Sequence, residues 1–145
     1  MSRASLVWFR DDLRLADNPA LTAAVTRGEP VVALYVLDEE SPGIRPLGGA
    51  AKWWLHGSLT ALAESLAEFG VQLVLRRGAA RSVVAEVVAE IDAGGVFWNR
   101  RYGASERDVD AGLKESLRAE GVEVASFGAS LLFEPWTIQT GSDTP

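Results

Sequence analysis

Four short polar segments each follow an apolar run, and they hold most of the side chains able to do chemistry: Arg10-Asp11-Asp12-Leu13-Arg14, Asp38-Glu39-Glu40, Arg76-Arg77-Gly78 and Asn99-Arg100-Arg101-Tyr102. Carboxylate and guanidinium groups bind planar polar ligands through paired hydrogen bonds, and they equally bind one another. Arg10, Asp38, Asn99, Arg101 and Tyr102 are the candidates for ligand contact in these segments. Asp11, Asp12, Asp38 and Glu39 form a divalent-cation set only if the first two segments meet, and no nucleophile or phosphate loop accompanies them. The competing reading of each segment is that polar residues follow an apolar run because the chain turns at the surface there.

Other chemistries find little support. The one histidine, His56, lies inside a helical pattern, and Ser58, Ser65 and Ser116 have no plausible histidine partner for a hydrolytic triad. With no cysteine there is no disulfide, no thiolate zinc site and no iron-sulfur cluster. Arg10-Asp11-Asp12 stands where a dinucleotide site would need G-x-G-x-x-G. Gly48-Gly49-Ala50-Ala51-Lys52 lacks the G-K-[ST] ending of a phosphate loop and reads as a lead-in to a helix, with Lys52 a solvated charge. Trp8, Trp53, Trp54, Trp98 and Trp136 are packing residues by default. Trp53 and Trp54 are adjacent on a helix and point about 100° apart, so at least one faces a ligand or a neighbouring domain.

The elements that must position these residues follow from periodicity. Leu6 to Phe9, Val31 to Leu37, Val71 to Leu75, Gly95 to Trp98 and Val122 to Phe127 read as strands, the first four covered on both faces. Helical spacing runs between them. Asn18 caps a first helix with Pro19 at its first position, closing before Gly28. Leu55, Leu59, Leu62, Leu66 and Phe69 form one stripe that stops at Gly70. Val83, Val84, Val87, Val88 and Ile91 form another, followed by Gly94. Ser105 and Asp108 suggest a capping box ahead of Val109, Leu113 and Leu117, with Gly121 as the stop. The order βαβαβαβαβ predicts an α/β fold: a doubly wound, Rossmann-like five-stranded parallel sheet with helices on both faces. In such sheets the ligand crevice lies beyond the carboxyl ends of the strands, where the polar segments fall. Residues 1–128 form the expected domain and residues 129–145 the start of a linker.

Composition agrees with one globular domain. A chain of 145 residues with 48% hydrophobic residues buries a core without metal or disulfide support. A charged fraction of 23% excludes a disordered chain and a mean hydropathy of +0.07 a membrane-spanning one. The apolar stretch before Arg10 is too short for a secretory signal, so the expected location is the cytoplasm, with no membrane partner. A net charge of -6 argues against non-specific nucleic-acid binding by this chain alone.

The run Val7-Trp8-Phe9-Arg10-Asp11-Asp12-Leu13-Arg14-Leu15-Ala16-Asp17-Asn18-Pro19-Ala20-Leu21 closely resembles the opening motif of the DNA photolyase/cryptochrome family, V-W-F-R-x-D-L-R-x-x-D-N-x-A-L. Val32 to Asp38, Leu55 to Gly70 and Trp98 to Asp110 resemble the family's second strand, second helix, and fourth strand with its following helix. The resemblance covers essentially the whole chain and is most like a bacterial class I cyclobutane pyrimidine dimer photolyase. It implies an N-terminal antenna domain that binds a second chromophore and transfers excitation to reduced FAD. That FAD, and the groove for damaged DNA, belong in the family to a C-terminal helical domain, the implied partner; this chain alone is then inactive in repair. Methenyltetrahydrofolate is the favoured chromophore, with deazaflavin and FMN as alternatives. In folate-binding members a Glu early in the fourth helix accepts hydrogen bonds from the pterin, and Glu106 matches it; Ser105 stands where the family has Asn. Arg101 stands where deazaflavin binders carry an acidic residue. The bland role of Glu106 is a favourable charge at a helix N-terminus. Other readings are a cryptochrome-type photoreceptor, a free-standing nucleotide-binding α/β domain, and a domain that binds nothing once separated. A face bared by the absent domain implies self-association of the isolated chain.

Overall fold

A computed structural model describes residues 3–128. Five strands and four helices alternate as expected: β1 (Ser5–Phe9), α1 (Pro19–Thr26), β2 (Val31–Leu37), α2 (Gly49–Ala67), β3 (Gln72–Arg77), α3 (Ala80–Ile91), β4 (Gly95–Asn99), α4 (Ala104–Ala119) and β5 (Glu123–Phe127). The strands form one parallel sheet in the order β3-β2-β1-β4-β5, so β1 lies at the centre and strand order reverses between β1 and β4. The expected tail at 129–145 lies outside the described residues, as does Trp136.

Successive side chains of a strand point to opposite faces, and the core divides accordingly. Leu6, Trp8, Leu34, Val36, Val96 and Trp98 pack beneath α3 and α4, against Val84, Val87, Leu113 and Leu117. Val7, Phe9, Ala33 and Phe97 pack beneath α1 and α2, against Ala20, Ala24, Leu62 and Leu66. Every residue of β1 and β4 is buried, which is why their sequences show no polar alternation.

Local chemistry accounts for most helix ends. Asn18 Oδ1 accepts from Leu21 N at 3.1 Å with Pro19 at the first helical position. Gly70 takes the left-handed conformation after α2, and Val71 N donates to Leu66 O at 3.0 Å. Three expectations need correction. Phe69 leaves the apolar stripe and is 73% exposed, because α2 ends at Ala67 and the chain has turned away from the sheet. The left-handed residue closing α3 is Asp92, not Gly94. Ser105 and Asp108 do not form a capping box: α4 starts two residues early with Gly103 as its cap, placing Glu106 at the third helical position.

One buried polar knot ties the elements together at the mouth of the sheet. Asp12 accepts from Arg10 N at 2.8 Å, from Asn18 Nδ2 at 3.3 Å and from Asn99 Nδ2. Asn99 also donates to Asn18 Oδ1 at 2.8 Å and accepts from Ala20 N at 3.2 Å. The loop after β1, the start of α1 and the end of β4 are thus joined by three side chains, each under 7% exposed. Asn99→Ala removes two donated hydrogen bonds and one accepted one, and takes one of three donors from the buried Asp12 carboxylate. Its expected cost is about 3 kcal/mol, read as a lowered urea midpoint with an unchanged slope.

Candidate functional site

The carboxyl ends of β1 and β2, the segment after β4 and the N-terminal halves of α2 and α4 enclose a cleft of about 310 Å³. That lies within the roughly 300–1,000 Å³ typical of small-molecule sites. It is lined by Leu13, Val36, Ile44, Leu47, Leu55 and Val109, by the aromatic Trp8, Tyr35 and Trp54, and by the charged Arg10, Asp11, Asp38, Arg45, Arg101 and Glu106. Only Leu62 and Leu66 of the nineteen residues of α2 are buried, so its N-terminal half is free to form one wall. Trp53 and Trp54 meet edge to face at 5.4 Å and are 71% and 70% exposed; Trp54 lines the cleft and Trp53 does not.

Arg10 is the most deeply buried of the charged residues that line the cleft. Its guanidinium lies 4.4 Å from the centre of the Trp8 ring and Nη1 donates to Asp110 Oδ2 at 2.7 Å. Trp8 in turn meets Trp98 edge to face at 5.4 Å. Burial pushes the Arg10 pKa down against the opposing pull of Asp110, and burial pushes the Asp110 carboxyl up against that of Arg10. Each charge is tolerated only because the other is there. Arg10 Nε is buried at the cleft without a hydrogen-bond partner.

Asp38 lines the cleft, yet its carboxylate serves the fold. Oδ1 accepts from Glu40 N at 3.0 Å and Ser41 N at 2.8 Å; Oδ2 accepts from Ser41 Oγ at 2.5 Å and from Ala80 N at 3.0 Å. It therefore caps α3 from another element, since Ala79 offers no side-chain cap. Burial works to raise the Asp38 pKa, but the hydrogen bonds from Ser41, Ala80 and Glu40 outweigh it and hold the carboxyl below its ordinary value. Gly78 at φ 139° closes the same corner, where a Cβ would meet Val83 Cγ2 at 3.0 Å.

Arg101 Nε pairs with Asp11 Oδ2 at 3.0 Å, and Nη2 lies 3.6 Å from Glu106 Oε1. Glu106, half-buried, folds back over Gly103 so closely that a Cβ there would strike its carboxylate. Its oxygens stand at the cleft with one cationic neighbour. Lys52 is not simply solvated: Nζ pairs with Glu39 Oε1 at 2.9 Å, and that hydrogen bond holds the Glu39 carboxyl below its usual range.

Of the residues singled out from sequence, Arg10, Asp38, Arg101 and Glu106 meet in this cleft. Tyr102 lines a second cavity of about 170 Å³ that shares Arg101 with the first. Asn99 is committed to the buried knot, and Ser105 lines neither cavity: its Oγ fills the space a Cβ would need at Gly43, bracing the loop that carries Ile44, Arg45 and Leu47. The four carboxylates considered for a cation are dispersed, Asp12 to the knot, Asp38 to its turn, Asp11 to Arg101 and Glu39 to Lys52. Sequence reasoning missed Asp110 and Tyr35 as site residues. Asp110 had a readable signal, since it falls on the same helical stripe as the buried Leu113 and Leu117.

The family model for DNA photolyase matches residues 5–145. This chain belongs to the DNA photolyase family. Deoxyribodipyrimidine photo-lyase of Agrobacterium fabrum is 49% identical to it over 140 residues, which are 97% of this chain and 29% of that protein. Cryptochrome-1 of Arabidopsis thaliana is 42% identical over 135 residues, 92% of this chain and 20% of that protein. The crystal structure of a bacterial class III photolyase from Agrobacterium tumefaciens matches with a TM-score of 0.89 at 45% identity, covering 98% of this chain and 29% of that one. The chain thus spans less than a third of these relatives, and its sheet is the photolyase N-terminal fold.

Two outcomes follow from the geometry. Asp110→Asn leaves Arg10 buried and unpaired and is expected to cost about 3–5 kcal/mol, whereas Arg10→Met combined with Asp110→Leu recovers most of the loss; urea unfolding of the three variants measures both. Because the folded-state pKa of Asp38 is depressed, its contribution is complete above the unfolded value of about 3.9 and vanishes as pH falls through the folded one. In Asp38→Asn the decline of the urea midpoint below pH 4 is therefore expected to be shallower than in the parent.

Proposed function

We propose that this chain is the antenna-chromophore-binding domain of a light-dependent deoxyribodipyrimidine photo-lyase, and that its chromophore is methenyltetrahydrofolate. The observation that carries the reading is the cleft itself, lined by aromatic and aliphatic side chains with a half-buried carboxylate, Glu106, among them. A pterin edge with adjacent N–H donors fits such an acceptor, and the faces of Tyr35 and Trp54 suit a planar ring. When bound, the chromophore supplies light absorption and hands its excitation to a flavin. Arg101 beside Glu106 and Asp11 brings a positive charge to the slot, which favours folate or FMN over a deazaflavin site built on an acidic residue.

The share of the relatives that this chain spans supports a larger parent, in which residues 1–128 are the antenna domain and 129–145 lead toward an FAD-binding helical domain that engages damaged DNA. That parent splits cyclobutane pyrimidine dimers in the cytoplasm, and the 145-residue chain alone does not. The resemblance in sequence suggested class I; the 45% identity to a class III photolyase supports class III, which we adopt. The 42% identity to a cryptochrome favours a second reading, a blue-light photoreceptor. Dimer repair by the full-length protein under blue light separates them.

Fluorescence titration of the 145-residue chain with methenyltetrahydrofolate, a deazaflavin and FMN tests the chromophore. Saturable folate binding, weakened at least tenfold by Glu106→Ala, is expected. Folate binding indifferent to that substitution refutes the placement, and preference for either alternative refutes the choice of folate.

A further inference from the structure

The chain carries six more acidic than basic charges, yet the second cavity is strongly positive. Its walls are Arg100, Arg101, Arg107 and Lys114, with Tyr102 and Ser126. Among the described residues the one carboxylate on it is Asp110, whose Oδ2 is paired with Arg10 at 2.7 Å and whose Oδ1 is buried without a hydrogen-bond partner. Among the described residues no carboxylate pairs with Arg107 or Lys114, while Arg101 pairs with Asp11 and Glu106, both of which approach from the main cleft or its rim.

The cations are placed and not merely crowded. Arg100 donates from Nε to Ser126 Oγ at 3.1 Å and from Nη2 to Ser126 O at 3.0 Å, which sets the plane of its guanidinium. Lys114 Nζ donates to the same Oγ at 2.6 Å and lies 6.0 Å from the Trp98 ring centre. An ammonium has three N–H donors, so one bond to Ser126 leaves capacity for a ligand. Burial, then the charges of Arg100 and Arg118, lower the Lys114 pKa against the opposing pull of Asp110. A helix stripe of Arg107, Ala111 and Lys114 forms one side, and small Ala111 leaves room between the two cations.

The two cavities share Arg101 and are divided by the first turns of α4, which present Glu106 and Val109 to the main cleft and Arg107, Asp110 and Lys114 to the second. We propose that the second cavity is an anion subsite, receiving the phosphate or carboxylate group carried by the molecule whose ring system fills the main cleft. This rests on the antenna reading for the ring and adds the chemical class of its tail: a flavin phosphate or the glutamyl carboxylates of a folate. A charge-assisted contact to Arg or Lys is short, strong and tolerant of either anion, so the subsite selects for negative charge on the tail and leaves ring identity to the first cleft.

The test uses the 145-residue chain and ligand pairs that differ only in the tail: FMN against riboflavin, and the triglutamate against the pteroyl form lacking glutamate of one folate. Inorganic phosphate and glutamate are titrated alone. Lys114→Gln with Arg107→Gln removes the subsite, and Arg76→Gln, on the far edge strand and paired with Glu90, controls for net charge. Thermal melts establish that each variant folds. The charged tail is expected to tighten binding at least tenfold in the parent and in Arg76→Gln and less than twofold in the double variant. An equal advantage in all three overturns the subsite. Phosphate or glutamate that binds alone and loses affinity in the double variant, without any advantage of the charged tail, makes the cavity a free-anion site and overturns the link to the first cleft. Rings that bind equally with or without tails overturn this proposal and leave the antenna reading standing; anion binding without any ring binding overturns both.

Discussion

The mouth of this domain is organised around one buried charge pair. Arg10 leaves the central strand at the point where the sheet reverses, and Asp110 meets it from α4 at 2.7 Å. Neither group tolerates burial alone, so the pair forces α4 to sit with its first turns against the end of β1. That position brings Glu106 to one cavity and Lys114 to the other. The guanidinium also covers the Trp8 ring, which packs on Trp98, so the same cation joins the polar mouth to the hydrophobic layer below.

A second polar centre holds the opposite side. Asp12, Asn18 and Asn99 bind each other and the backbone of α1, closing the loop after β1 over the end of β4. Neutral amides suit this role because each supplies donors and acceptors together, and the one carboxylate is met by N–H groups on several sides. Two buried networks of different character thus fix the same loop: a charge pair toward α4 and a hydrogen-bonded knot toward α1.

The division of labour among carboxylates shows what separates scaffold from site. Asp38 and Asp12 are surrounded by N–H and O–H donors of the protein itself, while Glu106 has Arg101 nearby and little else. Ser105, one residue away, supports the loop at Gly43, so two adjacent residues at the start of α4 serve different ends. The difference arises from the 100° rotation per residue of the helix.

Much of the fold was legible in the chain because it depends on short-range pattern. Apolar runs marked five strands, three-and-four spacing marked four helices, and Asn18-Pro19 and Gly70 marked ends that local bonding determines. The polar segments after the strands pointed to the mouth, since a parallel sheet leaves no other place for them. What these residues do there was decided by tertiary structure. Asp38 caps a helix 42 positions away, Asn99 binds the start of α1 from 79 away, and Asp110 meets Arg10 across 100. Such partners carry no local signature: a hydrogen bond between distant residues depends on strand order and helix rotation, which exist only once the sheet has assembled. Sequence thus determined which groups reach the mouth, and packing alone decided which remain free to bind a ligand.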